Sequence, residues 1–211
     1  MIDDLTCLMY LLAHDDAAEG PYDRSRTELL VRAAALVDLA LRGRLGEDGG
    51  TVTVSGTEPT GDPVLDGILR DAAGHGWKDL VRRHRRRTLT EVEDRLAAAG
   101  LLTVKAPRTR FGTRRLTVTD RAVPAAFRAR VSAALHGDSP AREVPAADAV
   151  LLALAAAGGV RSVVSRQDQK TFRARIDACT GSLAALAPGL EKAVRALPMT
   201  MVAAQGGMGG S

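Results

Sequence analysis

Apolar positions recur at helical spacing along most of the chain. The clearest case is residues 25–43, SRTELLVRAAALVDLALRG, where Leu29, Leu30, Ala33, Leu36, Val37, Ala40 and Leu41 form a broad apolar surface. A face that wide cannot be left on the outside of a globule, so it predicts a helix in the middle of a bundle. Gly43 stands where a helix stop belongs. Residues 2–13 predict a short apolar helix, and 63–73, 77–86, 89–99, 122–136, 145–157, 167–178 and 181–196 predict further helices separated by Gly and Pro. Thr88-Leu89-Thr90-Glu91 reads as a capping box opening the 89–99 helix, with Gly100 as its end. Alternation predicts a short strand in TVTVS (51–55) and two more in LLTVKA (101–106) and RRLTVTD (114–120), the last two joined by a basic loop into a β-hairpin. No internal repeat or long linker interrupts the chain. One domain over 1–204 is therefore expected, followed by a disordered Gly-rich tail at 205–211.

Composition narrows this to a mainly α fold. Of the 211 residues 45% are apolar but only 3% aromatic, so Leu, Val and Ala must fill the core, a set that suits packed helices better than sheets. Cys7 and Cys179 are the only cysteines and lie far apart, which fits a reducing compartment and excludes a disulfide framework or a thiolate zinc site. The start, MIDDLTCLMY, has acids where a signal peptide carries basic residues. No apolar run reaches the roughly 18 residues of a membrane span. The expected location is cytoplasmic, or peripheral on the cytoplasmic face of a membrane.

No phosphate-loop, zinc-protease, nucleophile-elbow or dinucleotide fingerprint occurs, so a non-catalytic protein without a cofactor is expected. His14, His75, His84 and His136 are scattered and read as surface residues. Asp62 and Asp66 share a helix face and read as acids favoured by a helix N-terminus.

The net charge of +4 points to anionic partners. It is concentrated in WKDLVRRHRRRTLTE, where Lys78, Arg82, Arg83, Arg85, Arg86 and Arg87 crowd together against Asp79 alone. Cations just before a helix start at Thr88 oppose its dipole, and a bound phosphate or sulfate would reverse that cost by taking free N–H groups and guanidinium forks together. The preponderance of Arg over Lys favours phosphate recognition; the alternative is a solvated basic helix face. The helix–strand–strand run 89–120 also fits the recognition helix and wing of a nucleic-acid-binding domain. Its helix carries Glu91, Glu93 and Asp94 against Arg95, a charge balance that makes nucleic acid an unlikely partner.

The segments LVDLALRGRL (36–45), EPTGDPVLDGIL (58–69), EVEDRLAAAGLL (91–102) and LLALAAAG (151–158) resemble, in order and spacing, the Golgi phosphoprotein 3 family. The Ala- and Arg-rich usage suggests a bacterial branch of it. The resemblance covers nearly the whole chain. It implies a central helical bundle ringed by amphipathic helices with a protruding β-hairpin, and a peripheral adaptor that binds phosphatidylinositol 4-phosphate, as the eukaryotic members do on Golgi membranes. The family's head-group pocket uses a tryptophan before the first long helix, an arginine within that helix and two arginines one turn apart before the RL…G segment. Counting back from Arg42-Gly43-Arg44-Leu45 places the helix arginine at Arg32. Counting back from Gly100 places the first of the pair at Arg86 and the second on Leu89, a departure for which Arg87 or Arg83 could substitute in space. The tryptophan position falls on Asp23, beside Tyr22. Arg32 has a second reading as an i,i+4 partner of Glu28. The expected head-group residues are Arg32, Arg86 and Arg87, with Arg83 and Tyr22 at the rim. Phe111, with Arg110 and Arg114 in the hairpin loop, is the expected membrane contact, or a contact between copies of the chain.

Overall fold

The computed structural model describes residues 4–15, 19–105 and 115–206. It is mainly helical, and its centre is α2 (Arg24–Leu41). Every residue of α2 from Thr27 to Ala40 is buried, as its broad apolar surface requires. Asp23 caps it by accepting from the Arg26 N–H at 3.0 Å, and Gly43 ends it with a positive φ of 67°. Before it come α1 (Leu5–Ala13), buried along its whole length, and a two-residue bridge between β1 (His14–Asp15) and β2 (Gly20–Pro21).

After α2 the chain forms a hairpin from β3 (Leu45–Asp48) and β4 (Thr51–Val54), paired Leu45 to Val54. Then follow α3 (Pro63–Leu69), α4 (Trp77–Arg82) and α5 (Arg85–Ala98). The second hairpin pairs β5 (Leu102–Lys105) with β6 (Arg115–Val118), Leu102 opposite Val118. The C-terminal half is helical: α6 (Ala122–His136), α7 (Ala146–Gly158), α8 (Arg166–Thr171), α9 (Arg173–Gly181), α10 (Pro188–Arg195) and α11 (Leu197–Gly206). Helices α1, α4, α5, α7 and α11 all pack on α2, so the wide apolar face is covered from every side. The second hairpin is docked by Leu102, Leu116 and Val118, which join Tyr10, Leu89, Val92 and Leu96 in one apolar cluster.

Several boundaries differ from the sequence expectation: the 63–73 helix ends at Leu69, and the 181–196 helix is broken by an extended Ala187, leaving a 3-10 turn at Ser182–Ala185 before α10. The helix expected over 77–86 stops at Arg82, because Arg83 is extended and His84 adopts a left-handed φ of 53°. The next helix then begins at Arg85, so Thr88 is a buried first-turn residue and not a cap. The capping box does not form because the Thr88 hydroxyl is taken by a tertiary partner, Arg32. The 167–178 helix divides at Phe172. Strand β3 and helix α11 have no counterpart in the expectation: Leu45-Gly46-Glu47-Asp48 has no β-propensity of its own and is a strand only by pairing with β4. The hairpin tip, with Arg108, Arg110, Phe111 and Arg114, and the last five residues, 207–211, lie outside the described residues. Among the described residues no helix is long and apolar enough to cross a membrane.

Candidate functional site

The break at His84 changes what the basic run can do. It turns the chain so that α5 lies against α2, with Arg85, Arg86 and Arg87 in its first turn. Arg32, in the middle of α2, projects between α4 and α5. It is 2% exposed, its Nε donates to the Leu80 carbonyl at 2.9 Å and one terminal nitrogen to Thr88 Oγ1 at 3.1 Å. Its other terminal nitrogen is buried with no hydrogen-bond partner. Burial pushes this guanidinium down to about 10, partly countered by the charges of Asp71 and Glu91; at neutral pH it is still a cation. A buried N–H left unpaired costs about 1–3 kcal/mol, more for a charged group, and polar groups left so in a folded protein call for an explanation.

Arg32 forms part of the wall of a cavity of about 270 Å³, shared with Arg70, Asp71, His84, Arg87 and Glu91. The two acids are already engaged. Arg83 grips Asp71 with two bonds, 2.6 and 3.0 Å, and His84 Nε2 lies 3.0 Å from the same carboxylate. Arg87 bonds Glu91 at 2.7 Å along α5. The Arg83 hydrogen bonds hold the Asp71 carboxyl down to about 2. Its folded pKa is therefore below the ordinary 3.8, so the contribution of this pair to stability is full above that value and is lost as pH falls through about 2. A side-chain carboxyl NMR titration is expected to give Asp71 a midpoint near 2, and Arg83→Gln is expected to return it toward 3.8.

Of the residues expected to form a head-group pocket, Arg32 and Arg87 are brought to one wall. Arg83 lies beside them but is held by Asp71. Arg86 is not on that wall: its side chain is 80% exposed and approaches only Glu28, at 3.9 Å. Tyr22 is also elsewhere, lining a separate cavity with Arg26, Arg128 and Arg161. Glu28 does not pair with Arg32 one turn along α2; its carboxylate receives Arg85 Nε at 3.1 Å from α5 instead. Leu89 is fully buried in the cluster under the hairpin, so no side chain at that position can reach the pocket without leaving the core. Arg70, His84 and Thr88 complete the cavity and carried no signal of a site in the sequence, since only the turn at His84 brings α3, α4 and α5 together.

Packing also fixes the surroundings of Trp77 and of α5. Trp77 is a core residue, with its indole N–H donating to Glu47 at 3.2 Å. Helix α5 buries Leu89, Val92 and Leu96, and its Glu93, 1% exposed, takes both terminal nitrogens of Arg24 at 2.8 and 3.0 Å. The inner face of α5 is thus clamped into the core. Among the described residues no group of three or more His, Cys, Asp or Glu side chains could hold a metal ion.

No curated protein matches the chain. The family model described as Golgi phosphoprotein 3 (GPP34) matches residues 7–197, from within α1 to the start of α11 and including every helix that packs around Arg32. The chain belongs to the Golgi phosphoprotein 3 family.

Proposed function

We propose that the protein is a non-catalytic, adaptor-like peripheral membrane protein that holds a phosphorylated anionic lipid head group, of the phosphatidylinositol 4-phosphate type, in the Arg32 cavity. The observation that carries this reading is the buried Arg32 guanidinium, with an unused N–H, on one wall with Arg70 and Arg87. A phosphate oxygen there would accept a charge-assisted hydrogen bond. It would also satisfy a donor that the protein leaves empty. Arg70 has no ion pair among the described residues, and Arg87 is held only by an exposed bond to Glu91, which a doubly charged phosphate can outcompete. At about 270 Å³ the cavity suits a head group and leaves the acyl chains in the bilayer. The hairpin loop with Arg110, Phe111 and Arg114 would then rest on the membrane or on a second copy of the chain. Surface cations near an anionic bilayer contribute about 1 kcal/mol each and are screened by salt.

Vesicle co-sedimentation tests this. Neutral phosphatidylcholine vesicles are compared with vesicles containing phosphatidylinositol 4-phosphate, for wild type and Arg87→Glu. Wild type is expected to bind only the second kind and to release at high salt, and the variant to bind at least tenfold more weakly. Equal binding of both proteins, or of both vesicles, would sink the proposal.

A further inference from the structure

The larger cavity beside Tyr22 has a different chemistry. It lies on the far side of α2's N-terminal half, between the end of α1, α6 and the turn after α7, and holds about 540 Å³. That is within the range of about 300–1,000 Å³ of pockets that enclose a whole small ligand. Its floor is apolar: Ala13, Leu30, Gly158 and Val160. The close approach of α7 to α2 that shapes this floor depends on Gly158, where a Cβ would overlap the Leu30 methyl groups. Gly159 then turns the chain with a φ of 64° and brings Val160, Arg161 and Ser162 over the opening.

Above this floor the lining is polar: three arginines reach it from three separate segments, outnumbering the two carboxylates there, Asp15 and Asp23. Arg26, on α2, is neutralised by Asp23 at 3.1 Å. Arg128, on α6, spends one terminal nitrogen on the His14 carbonyl at 3.0 Å, and its Nε is buried with no partner. Arg161 is exposed and has no ion pair among the described residues. Thus two of the three cations keep donor capacity in a cavity whose floor is apolar. Neither a bare anion nor a neutral apolar molecule uses both halves of such a site.

We propose that this cavity is a second ligand site, for a small amphipathic anion: an acyl-like apolar body over Leu30 and Val160, with one carboxylate or phosphate among Arg26, Arg128 and Arg161. Nothing in it depends on the Arg32 cavity, which shares none of these residues. The phenol of Tyr22, 75% exposed at the mouth, would cover the apolar body on the solvent side.

Titration calorimetry on the full chain distinguishes the possibilities, with decanoate and octyl phosphate as probes and inorganic phosphate and octyl glucoside as controls, all as monomers in solution. Decanoate or octyl phosphate is expected to bind saturably with one-to-one stoichiometry, and the tighter of the two identifies the acidic group. Arg128→Met and the cavity-filling Ser162→Trp are each expected to weaken binding at least tenfold, whereas Arg32→Met leaves it unchanged. Ser162 is an exposed side chain, so its replacement tests the cavity without touching the core. Absence of binding by both probes, undiminished binding in both variants, or a loss in Arg32→Met equal to that in Arg128→Met would overturn the proposal. Binding of octyl glucoside as tight as that of the amphiphiles, or of phosphate as tight and undiminished in Arg32→Met, would overturn it as well.

Discussion

Arg32→Met is expected to lower affinity for vesicles bearing phosphatidylinositol 4-phosphate by at least tenfold, and Arg86→Met by less than about fivefold. The reasoning begins with burial. A hydrogen bond from a charged donor is worth about 1.5–3 kcal/mol, and each 1.4 kcal/mol is a factor of ten in affinity. Arg32 would make such a bond from a site where water cannot compete. Arg86 is largely in solvent and outside the cavity, so its loss removes only a screened surface charge. Met keeps most of the apolar stem of Arg32, and removal of a buried cation also removes its desolvation cost; the variant is therefore expected to melt cooperatively, which a thermal scan checks. If Arg86→Met had the larger effect, the bound phosphate would have to sit on the outer face of α5 and not between α3, α4 and α5.

Arg95→Met is expected to cost about 3 kcal/mol of stability, the lower end of the range for breaking a buried pair, measured by urea unfolding. Arg95 projects from α5 between Asp4 and Asp62 and pairs with both carboxylates. These acids are also helix caps: Asp4 accepts from the Cys7 N–H of α1 at 2.9 Å, and Asp62 from the Val64 N–H of α3 at 2.9 Å. One guanidinium thus joins the starts of two helices to a third. Its removal leaves two partly buried carboxylates without their paired guanidinium, with Arg42 the remaining cation whose charge acts on both. An effect below 1 kcal/mol would mean that water replaces the guanidinium freely. The other cluster on α5, Arg24 with Glu93, joins the start of α2 to the same helix, and Arg87 pairs with Glu91, so arginines meet two acids of the stretch Glu91 to Asp94.

The pattern of apolar positions was sufficient for the central helix. A surface that broadly apolar must be covered, and the structure packs α1, α4, α5, α7 and α11 against α2. The hairpin of β5 and β6 was legible for a similar reason, because strand alternation puts Leu102, Leu116 and Val118 on one face. Family membership was legible in the LALRGRL and PTGDPVLD segments, and the family model spans the same stretch. The start of α5 was not legible. Thr88 has the spacing of a cap, but whether a threonine caps a helix or accepts from a distant arginine depends on what lies across the interface. Likewise, Arg32 and Glu28 have the spacing of an i,i+4 pair, yet each has a stronger partner from α4 or α5.

Sequence alone therefore determined most of the helical segments, which one is central, the family of the chain and the excess of arginine in one stretch. These follow from local periodicity and composition, which act within a turn or two of the chain. Only the tertiary structure decided which arginines share a cavity. A residue's neighbours in a run point in different directions around a helix, and the left-handed turn at His84 rotates Arg87 toward Arg32 while leaving Arg86 in solvent. The same holds for the second cavity, whose three arginines are more than 30 residues apart from one another and meet because Gly158 lets α7 close on α2.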